Sequence, residues 1–314
     1  MLEIGSRYVF PISPGAQRFD INSNQPLNIS FNEPGSSYRQ VFAEYDVITN
    51  IDEKGNRHTA NISKSSSETY IFLGDSFTFG QGVADKDTIP SLFCKETDAL
   101  CVNLGVPGTG LVRQYKKLSE YFDTNKLPKK SILVHLILAS TSSKHAGNDI
   151  MDTIAEHNSA AKNDLEGKEN IRSAGYLIEL ARWLSRESNA FRVFRTLFGN
   201  QIKALAWDKS ADAFNKQELS IFVDYQAKII KLLRANNILY YPVILSTSSE
   251  LALDKQAKTF SDLSELTGLD FILGFDGDED KQSLFFPLDG HANPKGNAHI
   301  TRNLLSYFEH LKSH

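Results

Sequence analysis

From residue 70 onward the sequence alternates short apolar runs with stretches of helical period, and this alternation constrains the fold more than any other feature. The runs at 70–73, 100–104, 131–139, 238–245 and 271–273 read as strands. Between and after them, 88–96, 111–122, 219–234 and 297–311 read as helices; Leu111, Tyr115, Leu118 and Phe122 recur on one helical face. Strands alternating with helices imply crossover connections, hence an α/β domain with a parallel sheet and helices on both faces.

Two regions stand outside that pattern. Residues 1–68 are rich in Ser, Asn and Pro; 41–51 alternates like a single strand, and 50–57 reads as a turn into an extended segment near Ile62. We expect an N-terminal extended or β appendage over 1–68, ahead of a domain over 69–314. A helical insertion is expected at about 150–216, an interval too long for a simple connection. It carries Leu177, Leu180, Trp183, Leu184, Phe191, Phe194, Leu197 and Phe198 among Arg182, Arg186, Arg192 and Arg195. Such an amphipathic stretch ordinarily packs on its own domain; contact with an anionic membrane surface is the alternative, and a lid lies between the two.

Composition excludes several classes. With 34 Lys and Arg against 38 Asp and Glu, the net charge is −4, which argues against nucleic acid as a partner. No apolar run approaches the ~20 residues of a membrane span. The start, Met1-Leu-Glu-Ile, lacks the pattern of a signal peptide, so a soluble protein is expected, cytoplasmic unless a leader or anchor outside the sequence exports it. Cys94 and Cys101 read as two buried thiols that pair only in an oxidising compartment.

Chemistry concentrates in two places. Gly74-Asp75-Ser76 follows the 70–73 strand directly, and open α/β sheets place their ligands at the carboxyl ends of strands. A serine there can present its hydroxyl to a crevice, with the backbone N–H groups after it facing a developing oxyanion. The plainer use of the same residues is a turn or helix N-cap. The Gly-x-Ser-x-Gly elbow of the α/β-hydrolases is absent. A serine nucleophile needs a base, and the base an orienting group. Asp289-Gly290-His291, in a Gly/Pro/Asn-rich loop before the last helix, offers both, while the other seven histidines have no comparable setting.

Taken together, these segments resemble the SGNH (GDSL-like) hydrolases. Gly74-Asp75-Ser76 with Phe79-Gly80 is similar to the family's first block, Asn103-Leu-Gly105-Val-Pro-Gly108-Thr-Gly110 to its second, and Gly147-Asn148-Asp149 to its third. Asp289-Gly-His291 followed by Asn293-Pro294-x-Gly296 is similar to its last, and Asn50…Gly55-x-Arg57 resembles a segment found upstream of the serine in bacterial members. The resemblance implies a three-layer, flavodoxin-like domain around a mostly parallel five-stranded sheet. It also implies Ser76 as nucleophile, His291 as base, Asp289 as its partner, and Gly108 and Asn148 as oxyanion donors. It implies no cofactor; nor does any metal-ligand spacing appear, and Gly105-x-x-Gly108-x-Gly110 lacks the Lys-Ser/Thr of a phosphate loop.

Three functions remain open at this level. One is a serine esterase acting on a small acyl group, such as acetyl, on a small molecule or carbohydrate, or on a lipid ester. The second is an O-acyltransferase using the same residues on a polysaccharide. The third is a catalytically silent binding module on the same fold.

Overall fold

The computed structural model describes residues 17–23, 25–60, 68–125, 127–128, 130–139, 149–163, 216–248, 251, 256–276 and 280–312. The N-terminal part contains a small antiparallel sheet of β1 (Gln17–Phe19), β2 (Ser37–Phe42) and β3 (Tyr45–Asn50), in the order β1-β2-β3. The alternation over 41–51 is therefore two strands and not one. Phe42 pairs with Tyr45 across a two-residue connection, Ala43-Glu44. The break is hidden in the sequence because that pair lacks the Gly, Asn or Asp usual at such turns. The turn expected over 50–57 is present, with Ile51 bridged to Arg57; Ile62 lies outside the described residues.

The second sheet contains β4 (Glu68–Gly74), β5 (Leu100–Asn103), β6 (Lys130–Leu138), β7 (Leu239–Leu245) and β8 (Ile272–Leu273). Its order is β5-β4-β6-β7-β8 and every pair is parallel. Its helices are α1 (Ser76–Phe79), α2 (Ile89–Thr97), α3 (Leu111–Thr124), α4 (Asp149–Asn163), α5 (Lys216–Ala235), α6 (Gln256–Thr267) and α7 (Pro294–Lys312). This is the expected three-layer α/β architecture with flavodoxin-like strand order. Helix α6 had no counterpart in the sequence reading, because its segment is polar and shows little apolar periodicity.

A strand covered on both faces reads as a continuous apolar run, and β4 does so. Tyr70 and Phe72 pack with Phe93 of α2 and with Ile300, Leu304 and Phe308 of α7. Ile71 and Leu73 face the other way, toward Leu111 and Leu118 of α3, Ile150 and Ile154 of α4, and Phe222 and Ile229 of α5. From β4 the chain crosses to β5 on one side and then returns to β6 on the other. The sheet's topological switch point, where such folds open a crevice, is therefore the carboxyl end of β4.

The two cysteines are a correction to the sequence reading. Cys94 on α2 and Cys101 on β5 form a disulfide, with Cα atoms 5.9 Å apart. Asp98, at φ 50°, turns the chain back on itself between helix and strand, and that reversal brings the pair within bonding range. No described helix is long and apolar enough to cross a membrane. Of the expected insertion, residues 149–163 form α4; the arginine-bearing amphipathic stretch lies outside the described residues.

Candidate active site

Gly74 ends β4 at φ +153°, where a Cβ would lie 2.2 Å from Thr78 Oγ1 and 2.5 Å from the Leu136 carbonyl oxygen. Only glycine lets the chain leave the strand so close to its neighbour. Asp75 then caps the single turn of α1, its Oδ1 accepting the Phe77 N–H at 2.9 Å. Gly80 closes the turn in the left-handed region. Ser76 is the first residue of that turn and sits at the switch point.

His291 reaches it from the far end of the chain. Its Nε2 lies 2.7 Å from Ser76 Oγ, across 215 positions of sequence, and its Nδ1 lies 2.7 Å from Asp289 Oδ2. A hydrogen-bonded run from hydroxyl to imidazole to carboxylate results. The Phe77 ring stands 5.2 Å from the imidazole, centroid to centroid. Ser76 is 7% exposed and the His291 side chain 20%, so the hydroxyl is sheltered while the imidazole touches solvent. The loop turns tightly: the Phe286 N–H donates to the His291 carbonyl and the Gly290 N–H to the Phe286 carbonyl.

Gly108 lies in the loop after β5, with φ +67° and open space where a Cβ would stand. That loop is stitched to the serine turn. Asn103 Nδ2 donates to the Thr78 carbonyl at 2.9 Å, and the Val106 N–H donates to the Gly74 carbonyl at 3.0 Å. Gly105 passes so close that a Cβ would lie 2.2 Å from the Phe79 nitrogen. Asn148 lies outside the described residues; the neighbouring Asp149 is described, fully buried at the start of α4.

Beneath these loops runs a buried polar chain absent from the sequence reading. Gln114 Nε2 donates both to the Thr109 carbonyl, at 2.9 Å, and to Asp149 Oδ1, at 2.7 Å. One amide group thus joins the residue after Gly108 to the residue after Asn148. The Leu138 N–H donates to Asp149 Oδ2. With both amide protons spent, Gln114 Oε1 must accept from His135 Nε2–H at 2.8 Å, leaving His135 Nδ1 to accept the Tyr240 hydroxyl at 3.0 Å. Gln226 donates to that hydroxyl in turn. Burial lowers His135 to about 3, so it is neutral at pH 7. The signals for this chain were a glutamine on the buried stripe of α3, between Leu111 and Leu118, and a histidine inside the most apolar strand.

Asp75 and Asp149 are both fully buried, and the Asp75 charge disfavours ionisation of Asp149. Desolvation raises Asp75 to about 7, opposed by the Phe77 N–H and by His291. Desolvation likewise raises Asp149 well above the carboxylate range, with the Asp75 charge adding to it. Behind the serine turn, Arg57 is buried, its Nη2 2.7 Å from Asp85 Oδ1 and 3.0 Å from the Val83 carbonyl, with its guanidinium over the Phe79 ring. Burial lowers its pKa and Asp85 opposes the shift. Among the described residues no group of three His, Cys, Asp or Glu side chains is placed to hold a metal ion.

The chain is similar in fold to several solved structures. One is a member of the lipolytic protein G-D-S-L family from Veillonella parvula DSM 2008: 10% identity, covering 77% of this chain and 98% of that one, with a TM-score of 0.41. A second is a carbohydrate esterase whose active site displays divergent catalytic and non-catalytic binding functions: 13% identity, 95% and 84% coverage, TM-score 0.42. A third is a carbohydrate esterase family 2 enzyme plus carbohydrate-binding domain from Corynascus thermopiles (Myceliophthora fergusii): 13% identity, 96% and 88% coverage, TM-score 0.37. No family model matches the sequence, and no curated protein does. These likenesses are distant, and the functional reading rests on the chain's own residues.

Proposed function

We propose that this chain is a serine esterase of the SGNH (GDSL-like) type, with residues 69–314 as its catalytic domain. The observation that carries the reading is the continuous run Ser76 Oγ, His291 Nε2, His291 Nδ1, Asp289 Oδ2, with both links at 2.7 Å. In this tautomer Nδ1–H donates to Asp289, and the bare Nε2 accepts the serine O–H. Ser76 Oγ attacks the ester carbonyl as its proton passes to Nε2. The negative charge that develops on the carbonyl oxygen is taken up by the N–H groups of Ser76 and Gly108 and by the Asn148 amide. Collapse of the tetrahedral species gives the alcohol, which leaves with the proton from Nε2–H. Water then adds to the acyl-enzyme by the same route, giving the acid and restoring Ser76.

The substrate class is an acylated small molecule, a carbohydrate or a lipid ester. In the transferase alternative a sugar hydroxyl replaces water in the second half. The test compares wild type with Ser76→Ala on short- and long-chain aryl esters, alongside labelling by a fluorophosphonate. We expect turnover and labelling in wild type, and a loss of about 10³-fold or more in Ser76→Ala. Equal hydrolysis by the two proteins would sink the serine mechanism. Absence of labelling and turnover in folded wild type would favour the silent binding module. Transfer to an added sugar outcompeting hydrolysis would identify the acyltransferase.

A further inference from the structure

The histidine loop is held by a residue 244 positions earlier in the chain. At the tip of the β2–β3 hairpin, Glu44 Oε2 accepts the Leu288 N–H at 2.9 Å and the Asp289 N–H at 2.7 Å. The next residue, Tyr45, is buried and packs against Phe286 with ring centroids 5.1 Å apart and the ring planes tilted by 53°. The same ring lies against the serine side of the site: a Cβ on Gly82 would stand 2.6 Å from Tyr45 Cε1 and 2.9 Å from Phe286 Cε2. From β2, Gln40 Oε1 accepts the Gly82 N–H, and from the end of β3, Asn50 Nδ2 donates to Asp85 Oδ2 at 2.6 Å. The hairpin therefore grips both the loop that follows Ser76 and the loop that carries Asp289 and His291.

The turn itself departs from ordinary hairpin chemistry. Two-residue connections favour Asn-Gly or Asp-Gly, because their usual geometries need positive φ. Here the pair is Ala43-Glu44, and neither is among the positive-φ residues of the described chain. A side chain that reaches the histidine loop stands where turn propensity favours one that does not.

Resting on the esterase reading above, we infer that Glu44 is a positioning residue for the Asp289–His291 pair, and that the N-terminal sheet is a working part of the site. The physical reason is the direction of the bonds. A carboxylate that accepts two consecutive backbone N–H groups fixes the peptide plane from which the Asp289 side chain departs. That fixes in turn where Oδ2 meets His291 Nδ1. The groups around the imidazole are Asp289 on its own loop, Ser76 and Phe77 on α1, and the buried Asp75 carboxyl before them. Glu44 meets the backbone of this loop, at the Leu288 and Asp289 N–H groups, and does not touch the reacting atoms.

The experiment compares wild type, Glu44→Ala and Glu44→Gln as full-length folded proteins. Two readouts are taken: steady-state hydrolysis of a short-chain aryl ester, and the downfield proton resonance of His291 Nδ1–H, assigned by its loss in His291→Gln. We expect Glu44→Ala to lower kcat about tenfold with KM changed less than twofold, and to broaden the resonance or move it upfield. Glu44→Gln keeps an acceptor oxygen and should restore most of both. If Glu44→Ala lowers only the melting temperature and leaves kcat and the resonance as in wild type, the inference is overturned. If wild type hydrolyses no ester but the resonance still responds to Glu44→Ala and recovers in Glu44→Gln, the positioning role stands and the esterase reading fails.

Discussion

The turn carrying Ser76 is shaped by its own neighbours in sequence, whereas the loop carrying His291, closed on itself by two backbone hydrogen bonds, is also held from the opposite end of the chain. At Ser76 the fixing groups are Gly74 at the strand end, Asp75 as cap and Gly80 as closure, all within four positions. The 103–106 loop adds hydrogen bonds one crossover away. At His291 the backbone N–H groups of residues 288 and 289 turn outward and find their acceptor on Glu44. On the proposed esterase reading, a nucleophile such as Ser76 can be presented by local geometry, because the strand-to-helix turn that exposes it is a local structure. A base must be brought to it from another element, and its placement depends on whatever packs behind that element.

This contrast can be broken at the serine turn first. Gly74→Ala puts a methyl group into Thr78 Oγ1 and the Leu136 carbonyl at an unfavourable φ, and should cost about 3 kcal/mol or more. The urea midpoint measures it; near-native stability would show that the turn yields, and that local geometry does not hold the serine. Next, replacing both cysteines, Cys94→Ala with Cys101→Ala, removes a crosslink closing a short loop between α2 and β5. Chain entropy sets that loss at roughly 2–3 kcal/mol. Its effect should stay on the serine side, with amide exchange of residues 286–291 as in wild type; faster exchange there would couple the two regions.

A third difference concerns pH. The folded Asp75 carboxyl stays protonated up to about 7, against an ordinary aspartate value of 3.8. A raised folded value means that the unfolded chain ionises first, so this residue withdraws stability as pH climbs from about 4 to about 7. Asp75→Asn keeps the cap oxygen and removes the titration. Relative to that variant, wild type should lose stability between pH 4 and pH 7, read from chemical denaturation at the two pH values. A flat difference would show that Asp75 is ionised in the fold.

Much of this was legible in the sequence where the signal is local or periodic. The five strands of the parallel sheet were readable because burial on both faces leaves a largely apolar run, as in 70–73 and 131–139. Helix α3 was readable from its stripe, yet the glutamine inside that stripe was passed over, since only its contacts with Thr109, Asp149 and His135 show what it is for. His135 stood among the histidines without a functional setting, and only the structure shows it buried and held neutral in a chain of donors. The hairpin was missed because a two-residue turn without Gly or Asn preserves the alternation of a single strand.

By itself, then, the sequence determined the α/β class, the strand-to-turn setting of Ser76 and the candidacy of Asp289 and His291. Each is written in residues that stand side by side or recur at a fixed period. Only the tertiary structure decided that His291 Nε2 meets Ser76 Oγ, that Cys94 and Cys101 pair, and that Glu44 reaches the Asp289 backbone. Those contacts depend on where strand order and crossover connections bring distant segments, and no local preference of the chain records that distance.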